Sequence, residues 1–159
     1  MSATNEGNRK LIHGFEQLSA IDAEKDPIRK RNGLRYYGSK LPLSMLLSLN
    51  FDNRIKLEIP EGMPPMDPKH MDSGVSHPDF AGLLSSNISK LKYCSVASKL
   101  KKFKKEEMFY NVLVNIPLKD AEVLCSAKDH ALEELYPSIT ADLVKEIFPN
   151  YVCQDVHLG

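Results

Sequence analysis

The chain has no tryptophan, and Phe and Tyr together make up only 8% of its 159 residues. A core without large rings has to be built from Leu, Ile, Val and Met. Cysteine is scarce as well. Cys94, Cys125 and Cys153 stand about 30 residues apart, an odd number in neither a CxxC pair nor a zinc-module spacing. Free thiols in a reducing compartment are therefore expected, with Cys125 acting as a small hydrophobe. No run approaches the roughly 18 apolar residues of a membrane span. The opening MSATNEGNRK lacks the charged-then-apolar layout of a signal peptide. These absences point to a soluble cytoplasmic protein with no membrane contact. P-loop, GxGxxG, HExxH and GxSxG patterns are all missing. The expectation is a non-enzymatic protein with no catalytic residues, no metal and no cofactor.

What is present is ordinary in amount and uneven in placement. At 42% hydrophobic and 26% charged residues, the chain matches a single globular domain. Net charge is zero, yet residues 1–105 carry 18 basic and 11 acidic side chains, and residues 106–159 carry 3 and 10. The first two thirds at +7 and the last third at −7 either neutralise one another or leave a basic surface for a polyanion.

Periodicity predicts a mainly α fold, a compact single domain of six or seven short helices over residues 9–152. A flexible N-terminus at 1–8 and a tail at 153–159 flank it. Leu11, Ile12, Phe15, Leu18 and Ile21 recur at helical spacing. Asp26-Pro27 reads as an N-cap followed by a first-turn proline, with Asn32-Gly33 breaking or ending the helix it opens. Pro42 begins a short buried helix through Leu43, Leu46, Leu47 and Leu49. Arg54–Ile59 alternates like a strand but has no partner of comparable quality, so it is expected as one extended segment on the helices. Four prolines and a glycine in Pro60–Pro68 open a long Pro-rich loop over 60–77. A helix follows from Pro78, with Leu91 and Val96 on its stripe. Leu100, Phe103, Met108, Val112 and Ile116 then mark the apolar face of the next one. Pro117 stops that helix and starts another through Ala121, Leu124 and Cys125. Ser138 or Thr140 caps a last helix with Leu143, Val144, Ile147 and Phe148 inward, ended by Pro149.

His70 and His77, with Asp67, Asp72 and Asp79 nearby, lack metal-ligand spacing and read as a polar loop. Asp120 and Glu122 lie two apart on a helix and diverge, which reads as a solvated helix start. Cys125 and His130 have no arrangement that would activate a thiol. Two basic clusters interleave cations with aromatics, as single-stranded nucleic-acid sites do. One is Arg29, Lys30, Arg31, Arg35 and Tyr36; the other is Lys99, Lys101, Lys102, Lys104 and Lys105 around Phe103. The competing reading puts Phe103 in the core and its lysines on an ordinary solvated face. Met63, Pro64, Pro65, Met66 and Met71 form a Met- and Pro-rich stretch suited to an adaptable protein-binding surface. They would otherwise fold back onto the helices.

The PEGMPP turn at Pro60–Pro65, DAEVL at Asp120–Leu124, AKD at Ala127–Asp129 and LVKEIFP at Leu143–Pro149 resemble a family of small, functionally uncharacterised proteins of large myovirus-type tailed bacteriophages. The resemblance runs from about Leu43 to Tyr151 and carries no catalytic residue over. It implies a context, the cytoplasm of an infected bacterium or the virion. The functional expectation is a phage accessory protein that binds a host or phage protein partner. Nucleic-acid association through the two basic clusters is the alternative, and a structural virion component the second alternative.

Overall fold

Prolines and short polar caps cut this chain into helices at the points where a backbone N–H is missing or a side chain replaces a lost carbonyl. A computed structural model describes residues 15–40, 42–65 and 89–153. Among the described residues seven α-helices occur: α1 Glu16–Ala23, α2 Pro27–Gly38, α3 Leu43–Phe51, α4 Lys102–Val114, α5 Leu118–Lys128, α6 Leu132–Leu135 and α7 Ala141–Ile147. Two 3-10 turns, Ser89–Cys94 and Pro149–Tyr151, complete the set, and the fold is mainly α. None of these helices is long and apolar enough to cross a membrane.

The caps form as the sequence indicates. The Asp26 carboxylate accepts from the Ile28 N–H at 3.3 Å, with Pro27 in the first turn of α2. Thr140, rather than Ser138, caps α7 by accepting from the Leu143 N–H at 3.2 Å. Ser138 instead ties α2 and α7 to α1. Its N–H and hydroxyl both donate to the Asp22 carboxylate, at 2.8 and 2.6 Å, and its Oγ accepts from the Lys30 ammonium at 2.6 Å.

The core is centred on α3, whose Leu43, Leu46, Leu47, Leu49 and Phe51 are all buried. It packs on α5, α2 and the Pro149–Tyr151 turn, while α4 packs on α5 and on the Ser89–Cys94 turn. Val112 and Leu124 are fully buried, as is Val144 of α7, and Leu143 and Phe148 pack partly buried against the same cluster. Each fully buried aliphatic side chain contributes about 1.5–3 kcal/mol through loss of water contact. With twenty-five apolar residues in this cluster, the fold needs no disulfide or metal staple.

Arg54–Ile59 behaves as a lone extended segment. It pairs with Ser95 through an isolated antiparallel bridge at Leu57, and Asp52 pairs in parallel with Cys153. No ladder grows from either bridge among the described residues.

Four expectations change. Asn32-Gly33 does not interrupt α2, which continues to Gly38. Gly33 faces Ile21 of α1, so close packing of the two helices occupies the position where a break was expected. Val96 lies outside any stripe and is 53% exposed. The buried face of α4 is Lys105, Phe109, Val112 and Leu113, while Leu100 and Phe103 point to solvent. Asp120 is buried rather than solvated, at 4% exposure. Residues 66–88 lie outside the described residues. The expectations for Met66, Met71, the His70–His77 loop and the helix from Pro78 to Ile88 therefore lie outside them too, as do those for Leu11 and Ile12.

Candidate functional site

The first turn after the extended segment, Pro60–Gly62, is held from below by α5. Lys128 at the end of that helix has a side chain only 2% exposed. Its ammonium donates to the Pro60 carbonyl at 2.7 Å, the Gly62 carbonyl at 3.2 Å and the Asp129 carboxylate at 2.6 Å. Asp129 closes the loop by accepting from the Gly62 N–H at 2.9 Å. Gly62 sits at φ +89°, a left-handed conformation that other residues adopt at a cost. A buried ammonium is tolerated only with its partners supplied, and here three oxygens supply them.

This anchored turn stands opposite α4. Between them lies a groove of about 480 Å³ lined by Ile59, Pro60, Met63 and Pro64 on one side and Phe103, Phe109 and Tyr110 on the other. Phe109 forms part of the core, whereas Phe103 and Tyr110 remain 62% and 38% exposed. Glu61, Glu106 and Glu107 complete the lining. The result is an apolar floor with carboxylates around it. Lys104 reaches Glu107 at 3.4 Å across an exposed helical pair, a weak and screened contact.

The sequence candidates divide accordingly. Met63 and Pro64 line the groove, with Met63 partly buried against the core; Pro65 is exposed just beyond them. Of the first basic cluster, Arg31 makes two hydrogen bonds to Glu146 of α7, at 2.6 and 3.3 Å. Lys30 is engaged by Ser138, Arg29 lies 3.6 Å from Asp26, and Arg35 donates to Asn32 at 3.2 Å. Tyr36 is exposed, with the Lys40 ammonium 3.7 Å from its ring centroid. In the second cluster Lys99, Lys101, Lys102 and Lys104 are exposed. Lys105 is not: it is 1% exposed, its ammonium 2.7 Å from Glu58 of the extended segment. That pairing removes Lys105 from any surface and holds the Glu58 carboxyl below its ordinary range.

Groove residues missed at the sequence level are Glu61, Glu106, Glu107, Tyr110 and the Lys128–Asp129 anchor. The Glu-Glu doublet directly after a lysine run was a legible sign of a charge boundary. Of the Lys128 anchor only Asp129 is local, because the carbonyls it holds lie 66 and 68 residues away.

Other polar groups make ties within the fold. Asp120 accepts from the Phe15 N–H at 3.0 Å, tying the first turn of α5 to the start of α1. Burial pushes its carboxyl up to about 6. Burial likewise pushes the Cys94 and Cys125 thiols up to about 11, which keeps them protonated and poor nucleophiles. His130, in the left-handed region at φ 59°, places Nδ1 2.8 Å from the Asn50 carbonyl. That oxygen only accepts, so Nδ1 carries the proton. Among the described residues no group of three or more His, Cys, Asp or Glu is placed to hold a metal ion.

The chain belongs to a family of unknown function, DUF6433, whose model matches residues 18–134. The groove and its anchor lie wholly inside that span. No curated protein and no solved structure matches the chain.

Proposed function

We propose that this member of a family of unknown function is a binding protein, not an enzyme, and that it takes a segment of a partner protein into the groove between Pro60–Pro64 and α4. The observation that carries this reading is an apolar groove whose one wall is fixed by a buried ammonium and whose lining bears three carboxylates. A preformed concave site of this volume lies within the usual range of binding pockets. The wall is already ordered, so a partner does not meet the cost of ordering it. The aromatic rings of Phe103 and Tyr110 are the kind of residue that concentrates binding energy at an interface. Charge complementarity with Glu61, Glu106 and Glu107 selects a segment with apolar anchors flanked by Lys or Arg. The resemblance to proteins of large myovirus-type phages supports an infected bacterial cell as the setting, with a host or phage protein as the partner.

Selection of a random dodecapeptide library on the immobilised full chain tests the reading. Enriched peptides are expected to combine aromatic or aliphatic anchors with flanking Lys or Arg. A Tyr110→Ala, Glu106→Lys, Glu107→Lys variant is expected to lose at least about tenfold in affinity for them, or 1.4 kcal/mol, at unchanged melting temperature. Absence of enrichment, or enrichment of peptides that bind this variant equally well, refutes it.

A further inference from the structure

We propose that the lysine-rich face of residues 89–104 is a second binding site, for single-stranded nucleic acid. It uses a different set of residues from the groove, with Phe103 alone at the edge of both.

Between Ser89 and Lys105 the chain carries seven lysines and no carboxylate. Lys105 is drawn inside by Glu58, and the other six are exposed. Among the described residues Lys90, Lys99 and Lys101 make no ion pair, and Lys104 makes one weak helical pair with Glu107. The contrast with residues 29–35 is direct, because there Lys30 and Arg31 are spent on Ser138 and Glu146. The lysines are also placed against local stability. Lys102 and Lys104 occupy the first turn of α4, which has no acidic residue and no side-chain cap. Cations at that end oppose the helix dipole. The weak Lys104–Glu107 pair and the longer-range attraction of Lys102 to Glu58 offset this only in part, and a local preference broken in this way is expected where a sequence serves a ligand.

The exposed rings identify the ligand class. Tyr93 and Phe103 are 46% and 62% exposed, on two elements that pack together. The Lys92 ammonium lies 5.1 Å from the Tyr93 centroid and the Lys104 ammonium 5.8 Å from that of Phe103. A ring beside a cation offers a base a stacking surface and its phosphate a counter-charge. A duplex hides its base faces, so exposed rings add nothing to duplex binding. An anionic membrane would use the same residue types but needs a continuous apolar stripe to bury. The apolar stripe of α4, Phe109, Val112 and Leu113, is already committed to the core.

The test is fluorescence anisotropy of the full chain with labelled 20-nucleotide oligo-dT and oligo-rU and a 20-base-pair DNA duplex, from 50 to 300 mM salt. Sedimentation with phosphatidylserine–phosphatidylcholine vesicles runs in parallel. Both single strands are expected to bind at least tenfold tighter than the duplex, and their ratio reports whether DNA or RNA is preferred. The slope of log affinity against log salt should lie between about −2 and −4, for three to six phosphates at about −0.7 each. Lys99→Glu, Lys101→Glu, Lys102→Glu should weaken binding at least tenfold and flatten that slope. Tyr93→Ala should weaken binding by about five- to a hundredfold and leave the slope unchanged, since stacking releases no counterions. No strand binding at 50 mM salt, equal binding of the duplex, or vesicle binding without oligonucleotide binding overturns the proposal. The strand-against-duplex comparison holds without any variant.

Discussion

Asp120→Asn offers a direct measurement of what the interior of this protein costs. Asp120 is 4% exposed, and among the described residues it accepts one hydrogen bond, from the Phe15 N–H, and has no cation beside it. Desolvation is the largest influence on its carboxyl, which rises from 3.8 to about 6; the Phe15 hydrogen bond opposes that rise and nearby Glu16 adds to it. Because the folded value lies above the unfolded one, the folded state holds this proton more tightly. The associated stability is fully present below pH 3.8 and is lost as pH climbs through about 6. A rise of roughly two pH units at 1.36 kcal/mol each corresponds to about 3 kcal/mol. Asparagine keeps the oxygen that receives the Phe15 N–H and removes the titration. Any cost of seating the amide N–H in place of the carboxyl is the same at every pH and shifts the whole curve by a constant. The variant is therefore expected to gain on the parent by about 2 kcal/mol between pH 4 and 7, whatever that constant is. Urea unfolding of both proteins in steps across that range gives the difference. Asp52, Glu58 and Glu146 are held below their ordinary values by cations, so their stability is lost only as pH falls through those lowered values, and they are common to both proteins. A gap that stays constant from pH 4 to 7 would refute the reasoning.

The remaining predictions concern packing and access. Alanine at Gly38 would put a Cβ 2.8 Å from the Phe148 ring and 3.2 Å from Leu47, costing about 1–3 kcal/mol, whereas Gly33→Ala meets only Ile21 at 3.5 Å and should stabilise by about 0.5–1 kcal/mol. Opposite shifts in melting temperature are the expected result. Lys128→Met should cost about 3 kcal/mol in a urea titration, near the lower end for a broken buried pair because Asp129 retains some solvent contact. It should also weaken any peptide selected on the groove. Leu124→Ala, at a fully buried site, is expected to cost about 2–5 kcal/mol by the same method. With a thiol-reactive dye at pH 8, half-buried Cys153 should react in the native protein while Cys94 and Cys125 wait for denaturant.

Much of this fold is legible in the sequence because its boundaries are local. Asp26-Pro27, Pro117 and Thr140 act on backbone groups within three residues, and each opens a helix as its chemistry dictates. The errors arise where a distant partner decides. Lys105 looks like a surface lysine until Glu58, 47 residues earlier, arrives to neutralise it. With Lys105 inside, α4 turns Phe109 inward and leaves Phe103 out. Asp120 resembles any solvated helix start until Phe15, 105 residues away, donates to it. The groove was half visible, through Met63 and Pro64. Its other wall depends on that same rotation of α4, which periodicity alone does not resolve.

The ties between the two ends of the chain have a consequence for its synthesis. Phe15 waits for Asp120, Asp22 for Ser138, Arg31 for Glu146 and Asn50 for Leu132. A ribosome delivers the leucine-rich α3 long before it delivers α5, which covers it. Helical proteins that close through near neighbours collapse quickly, whereas here α1–α3 pack on one another early but the core is completed only when the final third emerges. Nascent chains stalled before residue 120 should therefore remain susceptible to protease and inclined to clump.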